Sequence, residues 1–306
     1  MALQTNQVTL PADVSLAIVA KAQNTSTIAK LSPADQLSGW FDAKYNVFQR
    51  SARAEVVAEG AKKTGYNQTI TPVEGKRFTV QTTTRVSKQL QWADESDQLR
   101  ILDAIQQDQT NALGEALDYV VYHAVSPLSG AALEGFTALS GTAAQVTAGD
   151  DALANLDALS DALLSYNISG VALSRKWANE LRKLRVAASG ARLFDIPLGL
   201  DATASLDGIP AAVSTSVSGD LATDATNVLA FMGDFTSIRW RIAQPIAAEI
   251  IPYGDPDGNG DLAASNQIAY RTEAVFSYAV LDPKAIAVLK APAAPAPGTR
   301  TAKAAK

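Results

Sequence analysis

The sequence has 306 residues, 47% of them hydrophobic, which allows one large domain or two moderate ones. A net charge of −5 argues against general attraction to nucleic acid, and the absence of cysteine excludes disulfides, thiolate nucleophiles and cysteine-ligated metals. The N-terminus lacks the pattern of a signal peptide and no apolar run approaches the ~20 residues that span a bilayer, so we expect a soluble, non-secreted protein without membrane contact.

The first 90 residues contain too little apolar sequence to build a core of their own. Residues 1–45 predict an extended arm and a short helix that begins at Pro11. Residues 77–86, RFTVQTTTRV, alternate with a period of two, which predicts a strand with two unlike faces. The charged, turn-rich segment before it, EGAKKTGYNQTITPVEGK, completes a long polar hairpin. Because such a hairpin cannot bury itself, we expect it to need a partner surface.

The strongest helical pattern covers residues 95–123. Apolar residues recur there mostly three or four apart, from Leu99 to Val121. Ser96 or Asp97 is a suitable N-cap. Since sustained heptads are lacking, the pattern favours one long helix laid along a sheet over a coiled coil.

The rest of the chain alternates short helices and strands. Residues 150–200 predict a helix, a buried strand (ISGVAL) and a second helix, RKWANELRKLR, which Ser174 caps. Strands are predicted within FMGDFTSIRWRI, AAEIIPY and QIAYRTEAVFSYAVLDPKAIAVL. Residues 291–306 are rich in Pro and Ala and then basic, which predicts a disordered tail.

The sequence offers no recognisable catalytic constellation. The single histidine, His123, lies near the end of the long predicted helix, where a structural role is commoner than a catalytic one. There is no G-x-S-x-G motif, and Gly65 is followed by Tyr66 where a phosphate loop requires a lysine. Four acidic residues lie close together in the sequence: Asp150, Asp151, Asp157 and Asp161. Their helical spacing favours N-capping and a solvated helix face over a metal cluster. We therefore predict a protein that is not an enzyme and has no cofactor.

The loop GDPDGNGDL, residues 254–262, has the spacing that opens an EF-hand calcium loop. Its candidate ligands are Asp255, Asp257, Asn259 and Asp261. Position 12 of such a loop should be a bidentate Glu but is Asn266 here, and the flanks predict strands instead of helices. Because Asp, Gly and Asn also suit a tight strand connection, a structural turn is favoured, with a calcium site as the alternative.

Charge is distributed unevenly between the hairpin and the long helix. Residues 44–90 carry nine basic and three acidic side chains, whereas residues 95–123 carry six acidic and one basic. The two segments are either solvated faces of chance sign or surfaces that meet, in which case a neighbouring copy could supply the helix. The residues predicted to make such inter-subunit contacts are Arg53, Lys62, Lys63, Lys76 and Arg77 on the hairpin and Asp97, Asp103, Asp108 and Glu115 on the helix.

Several stretches occur in an order that is typical of one protein family: LPADVSLAIVAKAQNTSTIAKL, GKRFTVQTTTRVSKQL, the 95–123 helix, LDGIPAAVS and AYRTEAVFSYAVLDPKAIAVL. They resemble, in turn, the N-terminal arm, the strand leaving the extended loop, the spine helix, an axial-domain strand and the closing segment of the major capsid proteins of tailed bacteriophages with the Hong Kong 97-type fold. The resemblance covers about residues 8–290.

The resemblance implies an α+β, Hong Kong 97-like capsid fold with an N-terminal arm, an extended β-hairpin loop, a peripheral domain with a long spine helix, and an axial domain. The corresponding boundaries are 1–45 for the arm and short helix, 46–92 for the extended loop, 93–130 for the peripheral domain with its spine helix, 131–244 for the axial domain, 245–290 for the strands that return to the peripheral domain, and 291–306 for the basic tail.

The same resemblance implies a structural head protein that self-assembles into pentamers and hexamers. These would form an icosahedral shell around packaged double-stranded DNA, bound without sequence specificity. Expected partners are copies of the chain and a portal, with decoration proteins as further candidates. Because the chain starts almost directly at the arm, either a separate scaffolding protein or none is expected. The expected location is the virion, after assembly in the host cytoplasm. An encapsulin-like compartment is the first alternative, and a calcium-binding or metal-dependent enzyme is the second.

Overall fold

The computed structural model describes residues 26–34, 44–48, 54–65, 70–97, 101–187, 189–194, 196 and 203–292. The helix predicted to begin at Pro11 and the tail from residue 293 lie outside the described residues, as does Arg53. None of the helices in these ranges is long and apolar enough to cross a membrane.

The helices are short except for one. They are α1 (Thr27–Leu31), α2 (Lys88–Asp97), α3 (Ile101–Asp118), which continues into a π-helical turn (Tyr119–His123), α4 (Leu139–Thr142), α5 (Ala152–Asp161) and α6 (Arg175–Lys183). Ser174 caps α6 as predicted, because its side chain accepts a hydrogen bond from the Trp177 amide. Asp151 caps α5 in the same way, through the Leu153 amide.

The strands form three sheets. They are β1 (Lys44–Phe48), β2 (Ile70–Glu74), β3 (Lys76–Ser87), β4 (Ala144–Thr147), β5 (Gly170–Ser174), β6 (Thr203–Leu206), β7 (Ile209–Ser214), β8 (Val228–Gly233), β9 (Ile238–Ile251), β10 (Gln267–Val280) and β11 (Ile286–Lys290). The orders are β1-β2, β3-β10-β9 and β4-β11-β8-β5-β7-β6. The strand predicted over 77–86 is therefore present as β3, paired along its whole length with β10.

The three-stranded sheet carries α3 along one face. Gln109 of α3 is buried, and its side-chain amide donates to Thr84 Oγ1 (2.9 Å) and to the Tyr270 carbonyl (3.1 Å). Thr272 Oγ1 donates back to Gln109 Oε1 at 2.6 Å. A buried amide needs such partners, so these bonds fix the register of the helix on the sheet. The prediction of a helix laid along a sheet is confirmed.

Both faces of the six-stranded sheet are covered. On one face α5 and α6 bury Leu159, Trp177 and Leu181 against β-strand side chains such as Leu173. On the other face, α1, the end of α3 and the π-helical turn pack in a second cluster. Since β5 lies between the two layers, all of its residues are buried, as the apolar run ISGVAL predicted.

Asp118, at the end of α3, joins three distant parts of the chain. Its wholly buried carboxylate accepts hydrogen bonds from Ser26 Oγ (2.6 Å), Thr27 N (2.9 Å), Thr27 Oγ1 (2.8 Å), Ile28 N (3.2 Å) and Ser216 Oγ (2.6 Å). Burial raises the pKa of Asp118 above its ordinary value, while the hydrogen bonds from Ser216, Ser26 and Thr27 oppose that shift. The carboxylate thus holds the first turn of α1 against α3 and the end of β7.

The first 90 residues were expected to lack a core of their own, but two of their described parts are buried against the rest of the same chain, so the expected need for a partner does not extend to them. Ile28 of α1 is fully buried in the chain's own core, and Trp240 Nε1 donates to the Ser32 carbonyl at 3.2 Å. In β3, Val86 is fully buried. These segments are stabilised within the chain because β9, β10 and α3 supply the missing apolar surface.

Other boundaries also differ from the sequence predictions. Helix formation begins at Lys88 instead of Glu95, so Ser96 and Asp97 lie within α2 and not before its start. The predicted boundaries at 45/46, 92/93 and 244/245 fall inside β1, α2 and β9. The closing segment also divides between two sheets, because β11 pairs with β8 and β4 in the six-stranded sheet.

His123 has a structural environment. Its Nε2 lies 3.2 Å from the Ser216 carbonyl and 3.1 Å from the Val217 carbonyl, so this nitrogen carries the proton and donates. The ring is 7% exposed, and burial lowers its pKa to about 4. The structural interpretation of this histidine agrees with its position in the fold.

We predict that Asp118→Asn destabilises the subunit by on the order of 3 kcal/mol. The NH2 group of the new amide would face hydrogen-bond donors at a position where the carboxylate oxygen accepted hydrogen bonds from them. Chemical denaturation of the purified subunit measures the change. Ser216→Ala, which removes one donor, should cost only about 1 kcal/mol. An Asp118→Asn free energy of unfolding equal to that of the wild type would contradict this account.

We also predict that His123 makes the subunit less stable in acid. The folded pKa is about 4 against an unfolded value near 6.5, so the unfolded state binds the proton more readily. The stabilisation is complete above pH ~6.5 and falls by about 3 kcal/mol as the pH drops to about 4. His123→Gln, which keeps a donor but does not titrate, should lose less stability over the same range. Equal pH dependence of the two proteins would be inconsistent with this prediction.

Candidate assembly surfaces

The extended hairpin presents its side chains to solvent. β1 and β2 pair antiparallel from Lys44↔Glu74 to Phe48↔Ile70. In the described segment 54–65 between them, Lys62 and Lys63 are exposed and Val56 is fully exposed. Glu55 accepts a hydrogen bond from the Thr64 amide at 3.2 Å, which closes the loop locally without burying it. The described part of the hairpin therefore has no buried core, in agreement with the prediction that it cannot bury itself.

The base of the hairpin is already engaged within its own chain. Lys76 Nζ donates to the Gly135 carbonyl and lies 5.8 Å from the centre of the Phe136 ring. Arg77 is half-buried. Of the basic residues predicted to contact a neighbour, Lys62 and Lys63 are thus the described pair that projects fully into solvent.

The acidic side of α3 is partly exposed. Asp108 is exposed, and Asp103 and Glu115 are half-buried; the side chain of Asp97 lies outside the described part. Burial raises the pKa of Glu115, and repulsion from Asp118 and Asp108 adds to the shift. Asp118 was counted with these acids in the sequence but faces the core. Among the hydrogen bonds and ion pairs of the described residues, none joins Lys62 or Lys63 to this helix.

The GDPDGNGDL loop folds onto the three-stranded sheet through Arg85. Its guanidinium Nε donates to both carboxylate oxygens of Asp257 (2.8 and 2.9 Å), and Nη2 donates to Asp255 Oδ1 (2.9 Å) and the Gly260 carbonyl (2.8 Å). The Arg85 guanidinium holds the pKa of Asp257 well below its usual range. Arg271 of β10 lies on the same face of the sheet as Arg85 and donates to the Pro256 carbonyl at 2.9 Å.

The other two calcium candidates have local roles in this loop. Asn259 Nδ2 donates to Asp257 Oδ2 at 3.0 Å, and Asp261 Oδ1 accepts from the Gly254 amide at 3.2 Å. In the described parts of the chain, no group of three or more His, Asp or Glu side chains is placed to hold a metal ion. Sequence reasoning missed the contribution of Arg85, because that residue lies 170 positions or more from its partners.

Comparisons with known protein families and with solved structures agree with one another. The phage capsid family matches residues 6–291 of the chain. A structure from Mycobacterium phage Ogopogo is similar, with a TM-score of 0.75 and 32% identity over 95% of this chain and 100% of that chain. One from Gordonia phage Cozz gives a TM-score of 0.71 at 28% identity, covering 88% and 87%. No curated protein is matched.

More distant structures share the fold alone. A structure described as phage G gp27 major capsid proteins and gp26 decoration proteins has a TM-score of 0.56 at 8% identity, over 92% of each chain. The mixed α+β architecture and the family resemblance drawn from the sequence are thereby confirmed, and a virion shell is favoured over an encapsulin-like compartment. The chain belongs to the phage capsid family: it is a major capsid protein of the Hong Kong 97 type, a non-enzymatic structural subunit of a tailed-phage icosahedral shell.

Proposed function

We propose that the subunits tile into pentamers and hexamers, and that the exposed hairpin of one copy lies over its neighbour. The observation that carries this proposal is the hairpin itself, whose described tip has exposed side chains and no core. In this division of the chain, the three-stranded sheet with α3 forms the peripheral domain. The six-stranded sheet with α5 and α6 forms the axial domain, and residues 46–92 contain the extended loop.

The shell is proposed to enclose double-stranded DNA without reading its sequence. The net charge of −5 supports this, because a strongly basic wall would bind the phosphate backbone along its length. A portal and a separate scaffolding protein are further proposed partners during assembly in the host cytoplasm. The phage G structure is described with decoration proteins, and a decoration partner is proposed for this shell by analogy.

We place the hairpin's contact on the acidic side of α3 in the neighbouring copy. Lys62 and Lys63 project from the hairpin. On α3, Asp108 is exposed and Asp103 is half-buried. Exposed ion pairs contribute only about 0.2–1 kcal/mol each, so the contact sets register and encounter more than affinity. Because the contact is repeated over many interfaces, even this small free energy per ion pair affects the yield of shells.

Reversal of Lys62 and Lys63 to Glu should reduce shell yield because like charges would then meet across the interface. The loss should lessen at high salt, which screens exposed charges. Adding Asp103→Lys and Asp108→Lys in the same chain should restore part of the yield. Sedimentation and electron microscopy of the expressed protein give the measurement.

Lys62→Gln with Lys63→Gln is the matched control, since it removes the charge without reversing it, and it should give an intermediate yield. Wild-type yield from both the lysine reversal and the aspartate reversal would rule out this pairing.

We further propose that the 254–262 loop is a structural clamp and not a calcium site. The Arg85 guanidinium supplies to the Asp255 and Asp257 carboxylates the positive charge that a calcium ion would otherwise supply. Because its side chain is only 7% exposed, it holds the loop on the sheet in a partly dry environment.

Arg85→Met should therefore lower the unfolding temperature, whereas Lys284→Met, which removes an exposed lysine, should leave it unchanged. Millimolar calcium should not stabilise the wild type, as measured by thermal unfolding. A calcium-dependent rise in the wild-type midpoint that disappears in Asp257→Ala would show instead that the loop binds the ion.

A further inference from the structure

Two neighbouring helices on one face of the six-stranded sheet carry opposite charges. α5 packs against β4 and β11, whereas α6 packs against β5, β7 and β8. Since the sheet order is β4-β11-β8-β5-β7-β6, α5 lies toward the β4 edge and α6 toward the β7 and β6 edge. The two helices are therefore offset to opposite sides of the same layer.

The outward side of α5 is acidic. Leu156 and Leu159 face the sheet, so Asp157 and Asp161, one helical turn apart, point away from it and are exposed. Residues 149–166 contain no lysine or arginine. Exposed aliphatic side chains accompany the acids, with Leu164 83% exposed. We call this set the acidic surface: Asp150, Leu153, Asp157, Asp161 and Leu164.

The outward side of α6 and the segment after it are basic. The helix buries Trp177, Ala178 and Leu181, which leaves Lys176 and Lys183 exposed two turns apart on the opposite side. Arg185 and Arg192 form an antiparallel bridge and are both exposed. Residues 175–192 hold six basic side chains and one acidic one. We call this set the basic surface: Lys176, Lys183, Arg185, Val186, Arg192 and Leu193.

Neither surface is satisfied within the described part of the chain. Capping explains Asp151 but not Asp157 or Asp161, for which the described residues provide no ion-pair partner. Val186 and Leu193 are 38% and 42% exposed, so the basic surface also carries apolar side chains that face solvent. Two exposed helix faces with matching apolar content and opposite charge are complementary to each other.

We propose that the acidic surface of one copy binds the basic surface of the next around the ring of a capsomer. The contact joins unlike surfaces, so it is heterologous, and heterologous contacts generate a ring when the rotation between copies closes. It rests on the proposed assembly into pentamers and hexamers and names the charges that set the order within each ring. A second copy is the occupant best supported, because the same chain presents both members of the pair, whereas nucleic acid would be repelled by the acidic surface.

The test uses two variants of the full chain. One carries Lys176→Glu with Lys183→Glu, and the other carries Asp157→Lys with Asp161→Lys. Each alone should lower shell yield at least tenfold at physiological salt, since every ring contact would place like charges together. High salt should recover part of the yield. Circular dichroism and thermal unfolding confirm that each variant is folded.

Mixing distinguishes contacts between copies from contacts within one chain. When the two folded variants are combined, a six-membered ring can alternate them, so that native surfaces meet native surfaces and reversed surfaces meet reversed ones. A five-membered ring keeps one contact between like charges, so shells should reappear in part. Pairing within a chain would instead be restored only by placing all four substitutions in the same molecule. Recovery on mixing supports the proposal, and recovery only in the fourfold variant overturns it.

Lys176→Arg with Lys183→Arg is the matched control and should assemble as the wild type does. Wild-type yield from both reversed variants would overturn this contact and leave the shell function intact. Normal shells that fail only to retain DNA after the lysine reversal would overturn it in favour of nucleic acid. Absence of shells from the wild type would overturn the proposed function together with this contact.

Discussion

The structure depends on a hairpin that cannot bury itself. β1 and β2 pair through five residues each, and the described tip between them keeps Val56 and both neighbouring lysines in water. A two-stranded ribbon without a covered face is marginal in isolation. The other sheets of the chain are covered by helices, and we propose that contact with another copy covers this one.

The remainder of the subunit is held together by buried polar groups that join distant segments. Asp118 fixes α1 to α3 and to the end of β7, and Gln109 fixes α3 to the three-stranded sheet. These bonds connect α1, α3, the end of β7 and the three-stranded sheet to one another. A rigid body is what a shell requires, because errors in angle accumulate over many copies. The weak, exposed charge contacts proposed between copies allow incorrect contacts to dissociate.

Local patterns in the sequence predicted most of the regular structure. The period-two alternation of residues 77–86 predicted β3, and Ser174 predicted the start of α6. The start of α2 was missed because Leu90 is the fully buried residue of its first turns and Trp92 is 56% exposed, so the segment shows little amphipathic periodicity. The π-helical turn at Tyr119–His123 was also missed, since its apolar residues continue the spacing of the helix before it.

Long-range polar contacts were beyond the reach of the sequence. Asp118 has the same spacing as the exposed acids of its helix, and only its donors at Ser26, Thr27 and Ser216 reveal that it is buried. The 254–262 loop likewise has the spacing of a calcium site, and only the structure shows that Arg85 lies beside its carboxylates. The candidate assembly residues Lys62 and Lys63 were identified by charge alone, while Lys76 proved to have partners in its own chain.

The central claim is that another copy of the chain covers the hairpin. Hydrogen–deuterium exchange of the unassembled subunit and of the assembled shell tests it directly. We expect the amides of residues 54–65 to exchange rapidly in the subunit and to become protected in the shell, while those of residues 113–122 are protected in both. Equally rapid exchange of residues 54–65 in both states would contradict the claim.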